Sequence, residues 1–445
     1  MNTESAIRAE ISKEILNANN NFAEFSRRSG INRGVFSLIF NASSPKPISL
    51  NQLETIGQAL DKESDWLFEL YVEECFFNGK PNRRRIEPFL IRCAELGKPD
   101  CINQILLRLK EDFKYADMIF DVAEKLYLDN KIMQSLCFYE FVIHNIENIR
   151  SEILSISHYR LFKASISQEQ EKNLSSMIRF EPYCDNLPVH YQLDALMKLI
   201  DLYFSFNKYE QAERCAKKLF LLSDEVYHHI LQQRYQGKKT NLSPLEKPLV
   251  VYYGYSLLAM SEIMLNYRKF MDGYGYLAIY EDLSWFEEMD EAAKIQVSRF
   301  SSFAQMNRNN FDLIQGNEAA VEECIRIIEE HPGETLANLK TLLEASKIHG
   351  FAVAHYTDAF FQGIEQRSLD SILSQNEWIK NRYYLDFFYE QSLYYVRNDN
   401  YQKAVEAIKR AVQIADEINS LDNRKVYQLL FDLMDRQSSL TYSER

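Results

Sequence analysis

Arg33 and Ser37 lie four residues apart, beside Gly34 and Leu38, on what the sequence makes the outward face of a short helix. Small or polar residues at the exposed N-terminal end of such a helix are what entry into a DNA major groove requires. The chemistry this predicts is hydrogen bonding to base edges. Arg33 offers most, because a guanidinium can grip the O6/N7 edge of guanine with two hydrogen bonds. The elements that must hold these side chains are legible around them. An amphipathic segment, Phe22 to Ser29, ends at Gly30, a residue free to take positive φ at a sharp bend. Ile31 plugs the corner and Asn32 is a good N-cap for the second helix. Phe36 and Ile39, three apart, give that helix a buried face.

The segment FAEFSRRSGINRGVFSLIFNASSPKP, residues 22–47, resembles the lambda-repressor class of helix-turn-helix domains, the Xre or Cro/C1 family. The resemblance covers about residues 5–75 and rests on Phe25-Ser26, Gly30-Ile31 and Phe36…Ile39-Phe40-Asn41. SLNQLETIGQAL, from Ser49, looks like the family's fourth helix, with Ser49 and Gln52 forming a capping box and Leu53, Ile56 and Leu60 an apolar face. Ser26 stands where the family usually has Ala, and Ala42 with the ASSPKP loop replaces a Gly-containing turn. The resemblance implies that Arg33, Ser37 and Asn32 contact base edges, while Asn21, Asn41, Ser43, Ser44 and Lys46 hold phosphates on either side.

Composition bounds the remainder. The chain has 445 residues, 46% hydrophobic and 26% charged, with 13 Gly and 10 Pro, which leaves ample core and little room for β-turns. A formal net charge of −13 argues against a basic coat over the whole surface. Residues 1–46 nevertheless carry Arg8, Lys13, Arg27, Arg28, Arg33 and Lys46 against four Glu, so a DNA face is confined to this end. The seven cysteines, 75, 93, 101, 137, 184, 215 and 324, are scattered and include no C-x-x-C pair, the usage of a reducing cytosol. No signal peptide and no run of about 18 apolar residues is evident, so a cytoplasmic protein without a membrane span is expected.

From about residue 83 the chain reads as amphipathic helices of roughly 12 to 18 residues joined by short polar turns, and tetratricopeptide spacing fits it. One unit runs Phe388-x2-Gln391-Ser392-x2-Tyr395-x5-Tyr401-x2-Ala404-x3-Ile408-x2-Ala411. Another runs Leu196-x2-Leu199-Ile200-x2-Tyr203-x5-Tyr209-x2-Ala212-x3-Ala216. Weaker copies centre on Ile132-x2-Ser135-x3-Tyr139 and Phe270-x2-Gly273-x3-Leu277, and 102–111, 336–348 and 358–374 pair by periodicity alone. The expected fold is all-α: a helix-turn-helix domain over 1–77, a linker over 78–85 (NGKPNRRR), and a right-handed superhelical solenoid over 86–445. Residues 165–190 and 234–248, polar and proline-bearing, are expected as extended surface connections.

Such a solenoid offers an inner groove. The spacing assigns to it Glu124 and Tyr127, Asp201 and Phe204, Glu262 and Asn266, and Tyr389, Val396 and Arg397, a mixture of carboxylates, amides and aromatics suited to a short extended peptide. The last helix, 423–436, carries Leu429, Leu430, Leu433 and Met434, an apolar face expected either to cap the solenoid or to form a dimer contact. Enzymatic chemistry is not expected. No phosphate-binding glycine loop or H-E-x-x-H occurs, and His228-His229 point about 100° apart on a helix, a poor metal site. Neither a catalytic residue nor a metal or other cofactor is assigned.

The two halves together resemble the Gram-positive peptide-pheromone receptors, the Rap, Rgg, NprR, PlcR and PrgX group. The opening helices after the linker look most like the arbitrium-type receptors of temperate phages and their relatives. The resemblance implies a cytosolic homodimer that binds a double-stranded DNA operator and a short signalling oligopeptide, the peptide altering dimer geometry and operator affinity. The alternatives are a constitutive DNA-binding adaptor whose solenoid holds a protein partner, and a Rap-like regulator acting by protein contact.

Overall fold

The computed structural model describes residues 3–18, 21–41, 44–110, 113–167, 169–238, 244–287, 289–330, 335–353, 378–418, 420 and 423–443. Among them there are 21 α-helices and no strand. The chain divides into two units, Met1–Ala164 and Ser165–Arg445.

The first unit holds α1 (Thr3–Asn17), α2 (Phe22–Ser29), α3 (Arg33–Ile39), α4 (Leu50–Ala59), α5 (Phe68–Cys75), α6 (Arg83–Glu95), α7 (Pro99–Leu109), α8 (Ala116–Leu128), α9 (Ile132–Asn145) and most of α10 (Glu152–Ser165). One apolar core runs through it from Ile7 and Ile11 on α1, past Phe25, Phe36 and Tyr71, to Phe138 and Val142 on α9. The segment 78–85 therefore lies inside this unit: α5 before it packs on α6 and α7 after it, and its last three residues open α6.

In the second unit come α11 (Gln170–Phe180), α12 (Val189–Ser205), α13 (Tyr209–Tyr235), α14 (Leu249–Asn266), α15 (Phe270–Tyr280), α16 (Glu291–Ile314), α17 (Ala319–Glu330), α18 (Thr335–His349), α19 (Trp378–Arg397), α20 (Tyr401–Glu417) and α21 (Asn423–Ser443). The first helices of successive hairpins, α12, α14 and α16, pack in sequence, then α16 on α18 and α18 on α19. At the far end α12 also packs on α19, and Gln170 N–H donates to the Ile418 carbonyl at 3.0 Å.

One turn recurs in both units. Gly97, Asn130, Asn207, Arg268, Gly316 and Asp399 each take positive φ between two antiparallel helices. In each, the next residue's N–H reaches a carbonyl five residues back, as from Lys131 to Leu126, Lys208 to Tyr203, Lys269 to Met264 and Asn400 to Tyr395. This is the Schellman closure, which satisfies the last carbonyls of the first helix. Five residues after the turn residue stand Ser135, Ala212, Gly273 and Ala404, small enough for the second helix to come close. Gly273 shows how close: a Cβ there would sit 2.2 Å from Phe311 Cζ.

Two expectations are corrected. Residues 165–190 are not an extended connection. Ser167 and Asn173 exchange two hydrogen bonds, at 2.9 and 2.8 Å, and start α11. Gln170, Asn173, Met177 and Phe180 then form its buried stripe, which its two polar members and the surrounding Glu and Lys conceal. Nor are the helices uniformly short, since α13 has 27 residues and α16 has 24. The helix expected over 358–374 lies outside the described residues.

Candidate functional site

Near the N-terminus, four phenylalanines fix α2 against α3. Phe36 lies 5.7 Å from Phe22, 5.8 Å from Phe25 and 4.8 Å from Phe40 between ring centroids. Phe25, Phe36 and Ile39 are buried, and each contributes about 1.5–3 kcal/mol by leaving water. Gly30 turns the chain at φ +70°, a conformation that favours glycine. Ser26 is more than a small residue here: its hydroxyl donates to the Ile31 carbonyl at 2.6 Å and so ties α2 to the turn. Asn21 caps α2 by accepting from Glu24 N–H at 2.9 Å, and Asn32 caps α3 by accepting from Gly34 N–H at 2.8 Å. Ser49 and Gln52 form the expected reciprocal box at α4.

Arg33, Ser37, Asn32, Asn21, Asn41, Ser44 and the Lys46 side chain are all exposed. The side-chain oxygens of Asn21 and Asn32 are engaged by the caps, which leaves their amide N–H groups as outward donors. Asn41 accepts from Ser44 N–H at 3.4 Å, and Ser43 lies outside the described residues. Val35 and Leu38 stand exposed beside Arg33 and Ser37.

Arg8, counted by charge with this face, belongs to the interior. Its guanidinium meets the fully buried Glu74 carboxylate at 2.6 Å and donates to the carbonyls of Ile39 at 2.9 Å and Lys46 at 2.7 Å. Glu74 also accepts from Ile48 N–H at 2.7 Å. The pair thus anchors both the C-terminal end of α3 and the segment after it to α5. Sequence reading missed it because Arg8 and Glu74 are 66 residues apart.

The residues expected to line one groove fall into both units. Glu124, on α8, is engaged by its own chain: Arg160 donates from Nε and Nη2 at 2.9 and 3.0 Å, and Tyr139 OH at 2.5 Å. Arg160 lies over the Tyr127 ring, 3.9 Å from its centroid. Glu124 and Tyr127 are therefore an internal ion pair and its aromatic floor, not an open lining.

Asp201, in the second unit, is half-buried and accepts from the Tyr255 hydroxyl. Burial pushes its carboxyl up to about 6, against the opposing pull of that hydroxyl and of Lys198 and Lys247. Tyr255 is held well above its ordinary range by burial and then by Asp201. Tyr383, raised first by burial, feels Glu262, Asp201 and Asp386 together. Beside them Asp386 meets Lys340 at 3.3 Å and Arg382 at 3.0 Å. Burial works against the Asp386 carboxylate, but Lys340 and Arg382 outweigh it and hold it below its usual range.

Glu262 is half-buried, while Asn266 is exposed and donates to the Glu262 carbonyl at 2.9 Å. Phe204 packs edge-on to Tyr209 with centroids 6.1 Å apart. Tyr389 and Val396 lie partly buried against the core of the last helices, and Arg397 is exposed, its Nε donating to the Leu393 carbonyl at 3.3 Å. Tyr255, Lys340, Tyr383 and Asp386 were not expected. A signal for two of them exists, since Tyr255 and Asp386 each stand 13 residues before a left-handed turn residue, as does the buried Asp194.

On α21, Leu433 is buried with Val426 in its own unit's core, and Leu429 and Leu430 pack partly against it, so these three serve the fold. Met434 and Phe431 remain exposed. No three metal-ligating side chains converge among the described residues, and no described helix is long and apolar enough to cross a membrane. No protein-family model matches the sequence, and no curated protein matches it significantly.

Proposed function

We propose that this protein is a DNA-binding transcription regulator whose second unit receives a short oligopeptide. The observation that carries the reading is the α2–α3 corner: two capped helices around Gly30, locked from behind by the phenylalanine cluster and Arg8–Glu74, present Arg33 and Ser37 outward. Side chains on a rigid element with no fold-building contact of their own are suited to bidentate readout. The recurring helical hairpins support a tetratricopeptide-like solenoid, and the polar tyrosine–carboxylate lining around Asp201 supports a peptide as its guest. In this reading the protein acts as a cytosolic homodimer that sets two recognition helices about one DNA turn apart, or a multiple of it. The peptide changes operator affinity only by its differential affinity for two shapes of the dimer. A coupling of about 1–3 kcal/mol is enough to switch a gene.

Selection of duplexes from a random pool by the full-length chain tests the DNA half. The expected result is enrichment of a two-fold symmetric site. Arg33→Ala should weaken binding to it by about 10- to 100-fold, the worth of one bidentate base contact, while the melting temperature stays unchanged. Absence of any enriched site, or a winning site bound equally well by Arg33→Ala, contradicts the reading.

A further inference from the structure

The two units carry the same half-site, its carboxylate gripped by a guanidinium in one and by a neutral hydroxyl in the other. Glu124 stands six residues before the left-handed Asn130, and Tyr127 follows one helical turn on. Asp201 stands six residues before the left-handed Asn207, and Phe204 follows one turn on. In both hairpins the carboxylate reaches the helix after the hairpin, α10 in the first case and α14 in the second. In the first unit that helix supplies Arg160, whose guanidinium grips both oxygens of Glu124 and stacks on Tyr127. In the second it supplies Tyr255, whose hydroxyl takes one oxygen of Asp201. Among the described residues no cation lies within ion-pair distance of Asp201, and its other oxygen accepts no hydrogen bond.

We infer that Asp201 and Phe204 bind a cationic group of the guest peptide, a guanidinium by preference, in the arrangement that Arg160 makes with Glu124 and Tyr127. This rests on the peptide reading above and narrows it to a basic guest. The carboxylate supplies the charge-assisted hydrogen bond, and Phe204 supplies a ring face for the planar guanidinium. A carboxylate answered at contact by a neutral hydroxyl, with Lys198 and Lys247 acting from beyond ion-pair distance, gains more from a cation than one already paired. A second observation points the same way. Asn310 holds the same register on α16, six residues before Gly316; it is 6% exposed, and its Oδ1 has no hydrogen-bond partner. The row Asp201, Glu262 and Asn310 thus runs along three first helices that pack in succession, and it ends on an acceptor suited to a peptide N–H.

The test uses the full-length chain and three pools of six-residue peptides with random flanking positions, read by thermal unfolding and then by Kd for the best binder. One pool carries an arginine with both termini blocked. The second replaces that arginine by citrulline, its neutral isostere. The third keeps citrulline but frees the amino terminus. The expected result is stabilisation by the arginine pool, at least tenfold weaker binding on replacement by citrulline, and loss of that discrimination in Asp201→Asn. Stabilisation by the third pool alone identifies the amino terminus as the cation and supports the site while overturning the guanidinium preference. Phe204→Leu keeps the carboxylate and should weaken arginine peptides severalfold; it serves as the deciding variant if Asp201→Asn does not fold. Equal binding of arginine and citrulline pools, or discrimination that survives in both variants, overturns the inference and leaves the peptide reading intact. Stabilisation by no pool overturns both.

Discussion

Interior carboxylates meet different partners in the two units. Glu74 and Glu124, both in the first, face guanidinium groups, from Arg8 at 2.6 Å and Arg160 at 2.9 Å. Asp201, in the second, faces a tyrosine hydroxyl, and Asp312 likewise accepts from Tyr274 OH at 2.6 Å. An arginine stays protonated at any ordinary pH, so the first arrangement fixes a charge pair in place. A phenol answers a carboxylate without cancelling its charge, so the second leaves a group that can titrate or be claimed by something else. The lesson is that one helical register can build a rivet or leave its carboxylate answered by a hydroxyl alone, depending on the residue the neighbouring helix offers. Asp386, paired with Lys340 and Arg382, shows that the second unit also uses the closed form.

Breaking a rivet should be the most costly change. Arg8→Ala leaves Glu74 fully buried without its cation, and a loss of about 3–5 kcal/mol in chemical denaturation is expected. A loss below about 1 kcal/mol would mean that the pair adds little to the first unit. The closest approach in the second unit ranks next. Gly273→Ala forces its new methyl toward Phe311, where a Cβ would lie 2.4 Å from Cε1 as well, and should cost about 1–3 kcal/mol.

The pH response sharpens the contrast more gently. Burial raises the Asp201 carboxyl to about 6 from an ordinary value of 3.8, so between those values the folded chain binds more protons than the unfolded one. Stability from this group is therefore fully present below about pH 4 and is lost as pH rises through about 6. Asp201→Asn should remove that slope and be the more stable protein above pH 6, by no more than about 3 kcal/mol, the worth of a rise from 3.8 to about 6, less what water at the half-buried carboxylate screens. A variant with the same pH dependence as the parent would show that the carboxylate is ionised at no cost. Helix caps give the smallest effects and should be alike in both units. Ser49→Ala at α4 and Asn400→Ala, whose side chain accepts from Lys403 N–H at 3.2 Å, should each cost about 1 kcal/mol. A large difference between the two would mean that one helix end is held by packing instead.

Local features were the legible ones. Gly30, Asn32, the Ser49–Gln52 box and the buried pair Phe36 and Ile39 follow from steric and capping rules that act over a few residues. The small residues Ala212, Gly273 and Ala404 were legible too, because each recurs at a fixed distance from a turn. What escaped depends on contacts distant in sequence. Arg160 is 36 residues from Glu124, and nothing near either says that they meet. Tyr255 and Asp201 are 54 residues apart, and Lys340 and Asp386 46. The helix α11 escaped for another reason: its buried stripe begins with two polar residues, Gln170 and Asn173, and the Asn173 amide is satisfied by Ser167 backbone instead of water. A hydrophobic pattern cannot register an asparagine as core.

The contact between the two ends of the second unit bears on how it comes apart. In a linear array each module leans only on its neighbours, so it can fray from a terminus inward, one module at a time. Here Gln170 N–H is held by the Ile418 carbonyl, and α12 rests on α19. Losing the last helices therefore uncovers the first ones, which ties the fates of both termini together. Amide exchange along α12 and α19 should accordingly show a shared opening free energy rather than a gradient along the chain.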